Sequence, residues 1–193
     1  MSAEARPVRT ALALGGNIGE VVDAFARALA VLEDRAGGRI LMRSSLWRTA
    51  PWGPVPQPDF LNMAVALETA LTAEALLDLC LQLEREAGRA RRERWGPRTL
   101  DMDVIVYGGR SIRTPALEIP HPRAHARMFV LAPLAEVAGA LCATDRRLIG
   151  EWTAALAAEP AGDVRRDEEA TQRLERALAA CAPSKAPPGD PTA

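Results

Sequence analysis

Residues 94–108 read as a basic approach to one buried β-strand, and that strand carries two carboxylates where a buried strand should carry none. Asp101 and Asp103 sit within a run that otherwise consists of Leu100, Met102, Val104, Ile105 and Val106. Successive side chains on a strand point to opposite faces, so the two acids share one face ~7 Å apart, while Leu100, Met102, Val104 and Val106 share the other. Solvated acids at a strand end are the commoner reading of an isolated Asp-x-Asp, but the neighbours count against it. From residue 85 to 98 six arginines (85, 89, 91, 92, 94, 98) stand against two glutamates (86, 93), a local balance of +4 running straight into the strand. Paired carboxylates on rigid backbone suit a hard divalent cation such as Mg²⁺, which offsets the repulsion and desolvation that two neighbouring carboxylates suffer. Guanidinium groups grip phosphate oxygens bidentately and metals bridge them, so the combination points to a polyphosphate ligand.

Periodicity places the other elements around this strand. Residues 8–14 are apolar enough for a strand and end at Gly15-Gly16-Asn17. Val21, Phe25, Ala28, Leu29 and Leu32 recur at helical spacing, with Gly37-Gly38 as the stop. Residues 40–47 read as a strand, a loop carrying Pro51, Pro54, Pro56 and Pro58 follows, and strand character resumes over 61–67. Thr72 is an N-cap for a helix through Glu86 with Leu76, Leu79, Cys80 and Leu83 on one stripe. The acid-pair strand completes β-α-β-β-α-β, the split βαβ order. The expected fold is therefore α+β: a ferredoxin-like βαββαβ core with a mixed antiparallel sheet and helices across one face, plus extra C-terminal elements. Those elements are a hairpin over 110–119 and a helix after His121.

At Pro160 the composition shifts to alanine, proline and charge. Residues 1–159 are expected to form the working domain and 160–193 a partly disordered tail, with a charged helix over 167–180 whose apolar stripe is only Leu174 and Leu178. Deleting the tail is expected to leave activity largely intact.

A chain of 193 residues is long enough for one real core. With 24 basic residues against 25 acidic ones it has no global field of the kind that drives non-specific nucleic-acid binding. The start has no apolar signal core and no stretch is long enough to span a bilayer, so a soluble cytoplasmic protein without a membrane partner is expected. Cys80, Cys142 and Cys181 lack zinc-site spacing and read as reduced structural thiols.

Gly15-Gly16-Asn17-Ile18-Gly19 lacks the Lys-Ser/Thr of a phosphate loop and reads as a structural turn. The proline-rich loop over 49–59 has the length and, in Trp52, the aromatic of a functional loop. Phe60 and Phe129 are two of three phenylalanines, each beside the suspected site and suited to stacking on a planar ligand. Asn62 shares a strand face with Phe60 and offers edge partners to a heterocycle. His121, fixed between Pro120 and Pro122, favours ligand contact, whereas His125 reads as a surface residue.

Assembled, these segments resemble the 6-hydroxymethyl-7,8-dihydropterin pyrophosphokinase family of folate biosynthesis. The resemblance rests on Leu-Gly-Gly-Asn-Ile-Gly near the start, Trp47-Arg-Thr-Ala-Pro51, Gln57-Pro-Asp-Phe-Leu-Asn62, Gly88-Arg-Ala-Arg91, Arg94-Trp-Gly-Pro-Arg-Thr-Leu-Asp-Met-Asp103 and Pro120-His-Pro-Arg-x-His-x-Arg-x-Phe129, in that order over about residues 8–157. It implies a Mg²⁺-dependent transfer of pyrophosphate from ATP to the pterin hydroxymethyl group, leaving AMP, with two Mg²⁺ ions. By resemblance Asp101 and Asp103 hold both ions, and Arg89, Arg91, Arg98, His121 and Arg127 surround the triphosphate, with Arg89 and Arg98 catalytic. Glu84, Trp95 and Val104 match nucleotide-side positions, and Thr49, Ala50, Pro51, Trp52, Phe60, Asn62 and Phe129 the pterin site, with the two phenylalanines sandwiching the ring. Whether Arg92 or Arg94 takes a phosphate-binding role stays open. Residues 85–98, with Gly88, Gly96, Pro97 and mutually repelling charges, read as a lid over ATP. The implied ligands are the pterin and ATP; a monomer is expected, with an oligomer left open.

Two other readings compete. Sugar-nucleotide glycosyltransferases also pair Asp-x-Asp with a metal, but on a larger doubly wound domain. Ferredoxin-like sheets also bind RNA, but the neutral net charge and the lack of an aromatic RNP-like strand count against that.

Overall fold

The computed structural model describes residues 7–51, 56–88, 96–156 and 164–181. The chain runs β1 (Val8–Gly16), α1 (Val21–Arg35), β2 (Arg39–Arg43), β3 (Trp47–Thr49), β4 (Phe60–Thr69), α2 (Ala73–Glu86), β5 (Asp101–Tyr107), β6 (Ile112–Arg113), β7 (Glu118–Ile119), α3 (Met128–Val137), α4 (Ala143–Leu156), β8 (Val164–Arg166) and α5 (Glu168–Cys181). Helix α2 starts where Thr72 accepts the Ala75 N–H, and Gly37, at φ +58°, supplies the left-handed residue after α1. The expected strand over 40–47 divides in two. At the break Ser44 exchanges bonds with Ala64, donating its N–H to the Ala64 carbonyl and accepting the Ala64 N–H on its hydroxyl.

The main sheet runs β5-β1-β4-β3-β8, with β2 also paired to β4, and every strand pair among the described residues is antiparallel. This is an α+β fold. Strand alternation sorts its side chains into two cores. Leu12, Leu14, Met63, Val65, Leu67, Met102 and Val104 pack with α1, α2 and α5, while Ala11, Ala64, Ala66, Ile105 and Val106 pack beneath α3 and α4. Helices therefore cover both faces, not one. The second face has little but alanine on β1 and β4, which lets α3 lie close to the sheet.

The β1–β5 register shifts by one residue: Leu12 stands opposite Val104 and Ala11 opposite Val106, leaving Ile105 extra. A bulge of this kind reverses the alternation beyond it. Val106 thus joins the α3 side, contrary to the simple alternation that grouped it with Met102 and Val104, and Tyr107 joins the α1/α2 side.

The segment after residue 160 also departs from expectation. β8 extends the sheet by pairing with β3, and α5 lies against α1 with Ala170 and Leu174 buried in the larger core, so residues 164–181 do not stand apart from the first 159. The apolar stripe is thin but sufficient, because the α1 face it meets is itself apolar. Residues 182–193 lie outside the described residues. Asp167 caps α5, accepting the Ala170 N–H, and pairs with Arg48. Burial alone would raise its carboxyl, but the Ala170 N–H and the Arg48 guanidinium outweigh burial and hold it below its ordinary value of 3.8. The ionised form is thus favoured by folding. Its stabilisation is whole above pH 3.8 and is lost as pH falls through the lower folded value. Melting temperatures of the parent and Asp167→Asn measured against pH are expected to differ most near neutrality and to converge as pH falls through the lowered folded value.

Among the described residues no helix is long and apolar enough to cross a membrane. Cys80 is buried in the core, and burial, with Glu84 and Asp103 nearby, pushes its thiol up to about 12, as suits a structural cysteine.

Candidate active site

The α3/α4 face of the sheet is only half covered. Toward the C-terminal end of β1 the same face continues through Ala13 and Gly15, beside Asn62 and Phe60 on β4 and Asp103 and Asp101 on β5. Among the described residues, Ala13 and Gly15 of β1 lie on the floor of a cleft of about 820 Å³, part of it open to solvent. Thr49, Ala50, Gln57, Phe60 and Asn62 line one side, Arg98, Asp101 and Asp103 the other, and Arg127, Phe129 and Val130 at the start of α3 complete the rim.

Each wall has its own chemistry. On the β5 side Asp101 is held by the Arg98 guanidinium, and Asp103 lies 3.9 Å from His121 Nε2. His121 owes its place to the bulge: the Ile105 carbonyl accepts the His121 N–H at 2.8 Å, which fixes the segment around His121 against the strand. Its Nδ1 accepts the Arg123 N–H at 3.3 Å, so in the neutral ring the proton sits on Nε2, toward Asp103. Burial lowers its pKa; Asp103 opposes this, and Arg127 and Arg123 reinforce it. Arg127 lies 5.7 Å over the Phe129 ring and is itself lowered, first by burial and then by Arg123, with Asp103 and Asp101 pulling the other way.

On the β3/β4 side Asn62 Nδ2 donates to Thr49 Oγ1 at 3.0 Å, and both residues are buried. Phe60 and Phe129 are half-buried on the cleft lining. A partly exposed aromatic pair beside a buried amide–hydroxyl pair suits a flat ring with polar edges, and a carboxylate pair among guanidinium groups suits a metal-bound polyphosphate.

Of the residues expected from sequence, Thr49, Ala50, Phe60, Asn62, Arg98, Asp101, Asp103, Arg127 and Phe129 meet in this cleft, with His121 adjoining Asp103. Pro51 follows Ala50 but is not on the cleft lining. Glu84 is buried behind β5, where Oε1 accepts the Met102 N–H at 2.8 Å. Val104 turns its side chain into the α1/α2 core, so only its main chain, on the sheet-edge strand β5, is available to a ligand. Arg89, Arg91, Arg92, Arg94, Trp95 and Trp52, with half of the expected lid, lie outside the described residues.

Asn17 is the residue that the structural-turn reading undervalued. Its amide donates at 3.0 Å to both Gln57 Oε1 and the Pro58 carbonyl, its Oδ1 accepts the Arg98 N–H at 2.9 Å, and its own N–H reaches the Arg98 carbonyl at 2.9 Å. One side chain thus ties together the loops that enter the two walls. Gly16 permits this closeness, since a Cβ there would come within 2.6 Å of the Thr99 carbonyl. Asparagine at a turn signals local bonding in sequence, but partners 40 and 81 residues away leave no local trace. Asn17→Ala removes three part-buried side-chain hydrogen bonds and is expected to cost about 1–3 kcal/mol of stability and to lower turnover, measured by denaturant unfolding and steady-state kinetics.

Comparison with known proteins follows the same lines. A family model described as 7,8-dihydro-6-hydroxymethylpterin-pyrophosphokinase (HPPK) matches residues 11–139. The chain is 45% identical over 130 residues to the 2-amino-4-hydroxy-6-hydroxymethyldihydropteridine pyrophosphokinase of Methylorubrum extorquens, covering 67% of this chain and 82% of the relative. Against the protein of that name from Pseudomonas aeruginosa it is 41% identical over 147 residues, covering 76% of this chain and 91% of the relative. The crystal structure of Plasmodium falciparum HPPK-DHPS wild type with SDX-DHP has the same fold at a TM-score of 0.61 and 14% identity, over 86% of this chain and 48% of that one, so this chain spans about half of it. The family match takes in well over half of the chain and both walls of the cleft, and the chain belongs to the 7,8-dihydro-6-hydroxymethylpterin-pyrophosphokinase family.

Proposed function

We propose that this chain transfers the β,γ-pyrophosphoryl group of ATP to the hydroxymethyl group of 6-hydroxymethyl-7,8-dihydropterin in folate biosynthesis. The pyrophosphokinase activity named for its relatives supports this. The observation that carries the reading is that one cleft holds a carboxylate-guanidinium wall facing an aromatic-amide wall. The pterin lies between Phe60 and Phe129, its polar edge read by Asn62 and Thr49, with Ala50 beside them; Pro51 and Trp52 are assigned to the pterin by family resemblance alone. Arg98, His121 and Arg127 gather the triphosphate and the Val104 main chain borders the nucleotide; Arg89, Arg91 and Trp95 are assigned to the same ligand by family resemblance alone, while Glu84, buried behind β5, instead braces that strand through the Met102 N–H.

Among the described residues no group of three or more His, Cys, Asp or Glu side chains gathers to hold a metal. Two carboxylates beside a phosphate site nonetheless fit Mg²⁺, which takes one or two protein carboxylates and fills its remaining positions with water and phosphate oxygens. Asp101 and Asp103 would hold two such ions, which polarise the β-phosphoryl group and neutralise charge on the phosphate oxygens. The pterin hydroxyl oxygen bonds to the β-phosphorus and releases its proton to solvent, while the bond from that phosphorus to the α,β-bridging oxygen breaks and AMP departs with the oxygen. Arg98 and Arg89 stabilise the charge that accumulates on that oxygen. Neutral His121 donates from Nε2 without adding a charge.

The strand order β5-β1-β4 with β2 and β3 beyond, antiparallel throughout, further supports a ferredoxin-like core. Incubation with ATP, Mg²⁺ and hydroxymethyldihydropterin is expected to release AMP only when all three are present. AMP release independent of the pterin would refute the reading.

A further inference from the structure

We infer that the C-terminal unit of β8 and α5, which lies beyond residues 11–139 of the family match, positions the pterin wall of the cleft. The inference rests on the pterin reading of that wall. Strand β3 carries Thr49 and is only three residues long; it pairs on one side with β4, Thr49 opposite Phe60, and on the other with β8, Thr49 opposite Val164. Without β8 it would be a short edge strand, the weakest place in a sheet from which to fix a ligand contact.

The links around it are specific. Asp167 Oδ2 accepts from Arg48 Nε at 2.8 Å and its NH2 at 2.6 Å, the Asp167 N–H reaches the Leu46 carbonyl at 2.8 Å, and the Leu46 N–H is taken up by Thr171 Oγ1 at 2.9 Å. The backbone entering β3 is thus bonded to the first turn of α5. Glu136 on α3 joins the remaining pieces. Its Oε1 accepts from Trp47 Nε1 at 2.9 Å and Arg166 Nε at 3.1 Å, and its Oε2 from the Ser45 N–H at 2.8 Å. The helix whose start carries Phe129 is thereby tied to the strand carrying Thr49, with Arg166 of β8 closing the link and stacking 5.5 Å over Trp47. Arg165 lies 4.0 Å from Asp59, next to Phe60. Thr49, Phe60 and Phe129 therefore each connect to one C-terminal strand.

The acid pair does not. Asp101 and Asp103 are on β5, at the far edge of the sheet with β1 and β4 between. Loosening β8 is thus expected to move the pterin contacts and leave the phosphate side in place, a separation that a purely structural role would not give.

The test is the Arg48→Ala/Arg166→Ala double variant, with Arg48→Ala alone in reserve should the double variant fail to fold by circular dichroism. The expected result is a pterin KM raised about tenfold with the ATP KM and kcat within about twofold of the parent, and the same shift in pterin Kd by calorimetry. A lowered Tm with both KM values unchanged, or both rising together, overturns the inference. A parent protein that binds the pterin but yields no AMP removes the pyrophosphokinase reading while the Kd comparison still decides this one. A parent that binds no pterin overturns both.

Discussion

Asparagine at Asp101 or at Asp103 is expected to lower turnover on the order of a thousandfold while leaving the fold intact. Both side chains are partly exposed, 24% and 43%, so neither supports the core, and amide for carboxylate barely changes volume. What changes is charge: each substitution removes half of the negative charge proposed to hold the metals and so would weaken the proposed hold on the triphosphate too. Asp101→Asn additionally frees Arg98 from its carboxylate partner. Circular dichroism and AMP release on the same samples provide the check. A folded variant that keeps most of its Mg²⁺-dependent activity would remove the acid pair from the chemistry.

Truncation after Glu159 has the second large expected effect, and it reverses what composition alone implied. Leu174 is 1% exposed in the main core, and Leu174→Ala by itself is expected to cost about 2–5 kcal/mol, partly as transfer free energy and partly as a cavity between α5 and α1. Removing the whole unit also strips β3 of one pairing partner and uncovers the apolar face of α1, so loss of soluble expression is expected. For Leu174→Ala the midpoint should fall by roughly 5–15 °C in a thermal melt. A truncated protein that melts with the parent would show that α5 contributes nothing to the core.

The parts of the structure that follow from local chemistry were legible in sequence. The Thr72 cap, the stripe through Leu76, Leu79, Cys80 and Leu83, and the glycines after α1 each act within a turn or two, and the observed helices follow them. Asp101 and Asp103 were legible for a different reason: acids in an apolar strand conflict with burial, and functional sites are where such conflicts survive. What escaped depends on tertiary partners. The bulge at Ile105 arises from the register of β1 against β5, and it both moves Val106 to the other face and supplies the carbonyl that seats His121. The docking of α5 depends on α1 presenting a matching apolar face, which a sparse stripe of Leu174 and Leu178 does not advertise. Asn17 and Glu136 bond to groups far away in the chain, so their roles appear only once the elements are packed.

The most direct measurement is the identity of the products. Phosphorus NMR and mass spectrometry of a reaction containing the protein, ATP, Mg²⁺ and 6-hydroxymethyl-7,8-dihydropterin should show AMP and the pterin diphosphate forming in equal amounts, and neither without Mg²⁺. ADP with a pterin monophosphate, or ATP hydrolysis that leaves the pterin unchanged, would contradict pyrophosphoryl transfer in this cleft.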